Sequence, residues 1–259
     1  TSMKREYQIR IVSYLLAFFA LVILAFPESG RSQGENELPA NTIISVVKNK
    51  LSKQRILKNN DITVSVKDRI ITLSGTVQSI GAKIQAGRDA AAAEESYRVN
   101  NQLVIKAMNM TNQQLTDSVV AALQRRVFYS IFDWVTVSSD NGNVTLNGWV
   151  YEPWHKSEFV SQAQKVPGVR AVADSLIVLP KSSFDDQIRI HAARLIYDNP
   201  VFEPYAYELV PSIHIIVRDG NVVLEGVVKS QSDSDLAENL ISLHTDAYSV
   251  DNELKILNK

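Results

Sequence analysis

The sequence predicts an α+β fold of three tandem small two-layer sandwiches, each running helix, strand, strand, helix, strand, with a three-stranded mixed sheet covered on one face by two helices. Three observations carry this expectation: a hydrophobic hairpin pattern that occurs three times, a closing strand at a constant distance behind each hairpin, and an amphipathic helical stripe in front of each.

The hairpins align on Gly75, Gly148 and Gly226. Each copy has apolar residues two and four positions before the glycine and two after it: Ile71, Leu73 and Val77; Val144, Leu146 and Val150; Val222, Leu224 and Val228. That is the alternation of a strand with one buried face. Asp140-Asn141-Gly142 and Asp219-Gly220 supply turn chemistry, whereas the first copy has Lys67-Asp68-Arg69, a weaker turn. The glycines themselves read as structural, placed where a strand bends or another backbone comes close. The closing strand reads Val99-x-Asn101-x-Leu103-x-Ile105, Val172-x-Asp174-x-Leu176-x-Val178 and Val250-x-Asn252-x-Leu254-x-Ile256, with 28 residues from glycine to leucine each time. Helical stretches near 80–95, 154–165 and 233–244 fill that interval. The leading helices carry Ile43, Val47 and Leu51, then Leu115, Val119 and Leu123, then Ile188, Ala192 and Ile196, all at i, i+4 spacing.

These patterns place the repeats at residues 41–109, 110–180 and 181–259. Short joints at 106–114 and 180–186 leave little room for independent tumbling, and units this small are expected to rest on one another. The third copy carries additional Pro- and Tyr-rich residues, 198–211, as a candidate contact surface. Ahead of the repeats, Lys4, Arg5 and Arg10 precede an uncharged run, residues 11–26, ended by Pro27. This layout reads as an export signal over residues 1–32, cut before Gln33, or as a retained membrane anchor facing the periplasm. A buried core helix is the remaining alternative. Residues 33–40 read as a flexible tether.

Of the 259 residues 45% are hydrophobic and 21% charged, which fits packed domains rather than disorder. The net charge of -1 makes no case for nucleic acid. The absence of cysteine excludes disulfides, thiolate metal sites and a cysteine nucleophile. His155, His191, His214 and His244 lie far apart without metal-ligand spacing, and no nucleophile elbow, phosphate loop or dinucleotide fingerprint occurs. No catalytic residue, metal site or cofactor is therefore expected. Asp185-Asp186 and Asp233-x-Asp235 fall at helix starts and read as caps.

Two contact patches stand out. Lys48, Lys50, Lys53, Arg55 and Lys58 cluster in the first copy, where residues 41–69 hold seven basic against two acidic residues; residues 181–259 are acidic overall. Such a cluster suits an anionic phospholipid surface, and an ordinary solvated face is the plainer reading. In the second copy Trp134, Trp149 and Tyr151 alternate away from the core, with Trp154 opening the next helix. Their expected role is packing against a neighbouring copy or contact with lipid headgroups, a partner protein or a glycan.

The V-x-L-x-G-x-V signature at residues 144–150 and 222–228, its near match at residues 71–77, and the Gly168-Val169-x-x-Val172-x-x-x-Leu176 closing element resemble the BON domain family of bacterial osmotically inducible and nodulation proteins. The resemblance covers nearly all of residues 41–256. The second copy fits best; Asp246-Ala247 and Glu95-Ser96 replace Gly168-Val169 in the third and first. The resemblance implies an exported, non-enzymatic envelope protein, periplasmic or extracellular, that binds phospholipid or an envelope partner, itself included, in stress protection. The alternative it implies is a scaffold or ring component of a secretion or transport assembly. Gly75, Gly148, Gly226 and Gly168 are then its structural glycines.

Overall fold

The computed structural model describes residues 39–125, 129–207 and 210–257. The export-signal reading of residues 1–32 lies outside them, as does the tether apart from its last two residues, of which Ala40 already opens the first helix. The first unit comprises α1 (Ala40–Lys53), β1 (Asp61–Lys67), β2 (Ile70–Val77), α2 (Ile80–Ala91), β3 (Arg98–Asn101) and β4 (Val104–Ile105). The second comprises α3 (Asn112–Gln124), β5 (Trp134–Asp140), β6 (Asn143–Val150), α4 (Pro153–Lys165) and β7 (Ala171–Val178). The third comprises α5 (Ser183–Tyr197), a short α6 (Glu203–Ala206), β8 (Ile213–Arg218), β9 (Asn221–Val228), α7 (Gln231–His244), β10 (Ser249–Asn252) and β11 (Lys255–Ile256).

In every unit the hairpin pairs antiparallel and the closing strand pairs parallel to the second hairpin strand, which is therefore central. A parallel partner needs a crossover, and the intervening helix supplies it. The closing strand is continuous in the second unit and broken in the other two; in all three the side chain of Asn101, Asp174 or Asn252 accepts from the N–H two residues on, of Leu103, Leu176 and Leu254 (3.3, 3.0 and 3.2 Å). Each sheet buries one face beneath two helices. Ile43, Val47 and Leu51 meet Ile71, Leu73 and Val77 in the first core; Leu115, Val119 and Leu123 meet Val144, Leu146 and Val150 in the second; Ile188, Ala192 and Ile196 meet Val222, Leu224 and Val228 in the third. Burying one such aliphatic side chain contributes about 1.5–3 kcal/mol.

The first hairpin turn forms without glycine, because Asp68 and Arg69 both adopt left-handed backbone (φ 49° and 57°) and so match the geometry of Asn141-Gly142. The helix caps also differ from expectation. Ser182 and Ser230 cap α5 and α7 by accepting from Asp185 and Asp233 N–H (3.2 and 3.1 Å). Asp185 is instead buried and accepts from the N–H groups of Asp219 and Gly220 (3.1 and 2.8 Å), tying the third hairpin turn to its leading helix.

Gly75, Gly148 and Gly226 have φ of 111°, 122° and 124°, and a Cβ there would run into the carbonyl oxygen of Asp61, Trp134 and Ser212 respectively. Both the backbone angle and the space exclude a side chain. Gly148→Ala should lower the melting temperature by several degrees, from about 1–3 kcal/mol of backbone strain; an unchanged melting curve would contradict this account.

Candidate functional site

The units are joined by backbone as well as side chains. Between the first and second, Ile80 N–H donates to Val169 O and Gly168 N–H to Gln78 O, both at 2.8 Å. Gly81 lets the start of α2 close on α4: a Cβ there would stand 2.6 Å from the Gln164 carbonyl. Between the second and third, Ile215 N–H on β8 donates to Ile131 O at 2.7 Å. Ile213, His214, Ile215, Ile216 and Val217 are all buried, so β8 is covered on both faces.

Asp133 organises the second joint from just ahead of β5. One carboxylate oxygen accepts from Ser130 N–H and Oγ (3.0 and 2.8 Å); the other accepts from Tyr151 N–H (2.8 Å) and lies 2.9 Å from His155 Nδ1. Serine and histidine both address the carboxylate, so this is not a nucleophile activated by an imidazole; it is a loop held in place. A buried carboxylate is tolerable only with such complete pairing. Within the third unit buried Arg189 donates to Asp186 (2.6 Å) and to Val217 O; across the joint it lies 5.0 Å from the Tyr151 ring, and the Tyr151 hydroxyl donates to Asp186 at 3.1 Å.

Beside this joint lies a cleft of about 520 Å³, within the size range of small-ligand sites. The C-terminal part of α3, the first half of β5, Val210 to Ser212, and the end of β9 with Lys229 and Leu257 form its walls. The lining is chiefly aliphatic and aromatic. His214 also lines it, 4% exposed, with its ring 5.0 Å from Trp134 and 5.5 Å from Tyr129. Its Nδ1 has no hydrogen-bond partner among the described residues. Burial lowers its pKa to about 4, against the upward pull of the Asp133 and Ser130 backbone carbonyls and of the Asp133 charge, so the ring is neutral at physiological pH.

Of the aromatic residues singled out in the sequence, Trp134 packs on His214 and Tyr151 on Phe132 and Arg189, within the joint. Trp134, Trp149 and Ile177 stand side by side across β5, β6 and β7 on the face away from the helices. Trp154 is 54% exposed, its ring edge-on to His155. Lys48, Lys53, Arg55 and Lys58 are exposed and Lys50 half-buried, on α1 and the 3₁₀ turn Arg55–Leu57 after it; the basic and aromatic sets thus sit on different units. The segment 198–211 folds partly inward. Phe202 and Tyr205 enter the third core, Val210 enters the second, and Tyr207 remains exposed. Gly168 has φ 92° and serves the first joint. Asp133, Tyr129, Arg189 and the role of His214 escape a sequence reading because none belongs to a spaced motif. Among the described residues no cluster of three or more His, Cys, Asp or Glu could hold a metal ion, and no helix is long and apolar enough to cross a membrane.

The family model of the BON domain matches residues 39–107, 111–180 and 206–258. Osmotically-inducible protein Y of Escherichia coli (strain K12) is 28% identical over 199 residues, covering 71% of this chain and 96% of that protein. Among solved structures, the C-terminal domain of CdsD, the structural protein of the type III secretion system of Chlamydia trachomatis, aligns with 85% of this chain and 100% of its own at 12% identity and a TM-score of 0.22. The PrgH periplasmic domain aligns with 82% and 100% at 11% identity and 0.21. Scores this low carry no weight for fold or assembly.

Neutral His214 makes stability depend on pH. Its folded pKa is depressed, so its contribution is present above the unfolded value of 6.5 and is lost as pH falls toward about 4. Full loss amounts to up to about 3 kcal/mol. Denaturant unfolding between pH 7 and 4 should show this decline, flattened in His214→Phe. Glu225, its cross-strand neighbour, is raised mainly by burial and acts in the opposite sense, so the comparison with the variant isolates the histidine. Equal slopes in the two proteins would refute the assignment.

Proposed function

The chain belongs to the BON family, and on that premise we propose that it is an exported envelope protein, periplasmic or extracellular, that works by binding rather than by bond-making, in protection against osmotic stress. The relative named for osmotic induction supports the physiological setting, and the basic, then apolar, N-terminal layout supports export. The observation that carries the binding role is the cleft between the second and third units: apolar, concave, open, and walled by residues of both copies. Tyr151, held by Asp133 in the second unit and meeting Asp186 and Arg189 of the third, keeps the two units in fixed register, which lowers the ordering cost of receiving a ligand. An amphiphilic fluorescent anion, 8-anilinonaphthalene-1-sulfonate, should bind saturably through its aromatic rings, and Thr136→Trp, which fills the cleft from an exposed strand position, should abolish the binding without lowering the melting temperature. Undiminished probe binding by that variant would reject the cleft as the site.

Association with an anionic membrane surface is a second reading, favoured by the exposure of Lys48, Lys53, Arg55 and Lys58 along one end of the first unit. Each such cation near anionic lipid contributes about 1 kcal/mol, weakened by salt. Co-sedimentation with vesicles containing phosphatidylglycerol should fall with added salt and on changing those four residues to Gln; binding indifferent to both would discard this route.

A further inference from the structure

Equivalent edges of the second and third sheets are treated differently. In a two-residue hairpin the residues flanking the turn bond to each other, and inward- and outward-facing backbone then alternate along the strand. On β8 this leaves Ile213, Ile215 and Val217 facing away from the sheet, and the chain engages one backbone group of each, while the Ile213 N–H, the Ile215 carbonyl and the Val217 N–H have no partner among the described residues. The Tyr197 hydroxyl donates to Ile213 O, Ile215 N–H donates to Ile131 O, and Arg189 donates to Val217 O. On β5 the same alternation turns Val135, Val137 and Ser139 outward. Val135 N–H donates to the Tyr129 hydroxyl at 3.1 Å, and Asn112 covers the far end through Ser139 Oγ (2.6 Å) and Asn141 N–H (3.0 Å). Between them, the Val135 carbonyl and the Val137 N–H and carbonyl have no partner among the described residues. Trp134, Val135, Thr136 and Val137 form a wall of the cleft, roughly 13 Å of strand.

From this we propose that β5 is an acceptor edge: an extended apolar peptide with a free C-terminal carboxylate adds beside Val137 as a further strand, its carboxylate toward Lys229. The proposal deepens the reading of the cleft as the binding site and rests on it. Alternating backbone donors and acceptors match an extended peptide and nothing an aliphatic chain offers. Charge complementarity sets the end group, since Lys229, exposed beside the Tyr205 ring, is the one charged residue among the described residues lining the cleft. The same mode of contact already operates next door, where Ile131 pairs with the edge of β8, so the added strand continues an existing joint.

The test uses the full chain and four probes: an acetylated hexapeptide alternating threonine and valine with a free carboxylate, its C-terminal amide, its form N-methylated at alternate residues, and decanoate. The free-acid peptide should bind and slow hydrogen exchange at the Val137 amide. N-methylation should weaken it roughly fivefold for each hydrogen bond lost. The amide should bind more weakly, and Lys229→Gln should reduce the free acid to the level of the amide. Equal binding of the N-methylated peptide, or an unslowed Val137 amide, would overturn the proposal. Decanoate filling the cleft while no peptide binds would overturn it and leave the cleft standing as a ligand site; failure of every probe would remove both. A dimer that protects Val137 without peptide would assign the edge to a second copy and overturn it as well.

Discussion

The backbone hydrogen bond from Ile215 to the Ile131 carbonyl is the contact on which the arrangement of the second and third units depends. A unit of about seventy to eighty residues buries only a modest core and is marginal alone. An edge strand left open would be a further liability. Closing β8 with the segment that leads into the neighbouring unit resolves both problems and positions the outer face of one sheet beside the edge of the next. The cleft is the space that results.

Directional polar groups hold that joint in one register. Apolar surfaces alone could slide, whereas the Tyr151 hydroxyl reaches Asp186 and its ring meets Arg189 only in one placement of the two units; Asp133 fixes Tyr151 within the second unit, and Asp186 and Val217 fix Arg189 within the third. Removing one partner of such a set leaves a buried charge exposed to its full desolvation cost. His214 has one ring nitrogen unpaired among the described residues, as Arg189 has its Nε, and of the two only His214 lies on the wall of the cleft.

The threefold sandwich was legible because its periodicities are local: strand alternation around Gly148, i, i+4 stripes such as Ile43, Val47 and Leu51, and a constant interval to each closing leucine. The conformation of Asp68-Arg69 was not, since pairing along the whole of β1 and β2 outweighs the modest preference of those two residues against left-handed backbone. Nor were the helix starts assigned to the right side chains, because Ser182 and Ser230 reach the free N–H groups while the aspartates that follow answer to distant partners. The site was the least legible part. Sequence alternation placed Trp134 and Tyr151 on the outer face, but what meets them, His214 and Arg189, comes from residues some forty to eighty positions away with no shared spacing.

Amide hydrogen exchange at two positions, Ile215 and Val137, measured in the free full-length protein, tests the central claim most directly. They occupy corresponding outward-facing places on the edge strands of adjacent sheets, one closed by the neighbouring unit and one open to the cleft. Strong protection at Ile215 with rapid exchange at Val137 is the expected result. Equal protection at the two amides, or rapid exchange at Ile215, would mean that the joint is not built in this way.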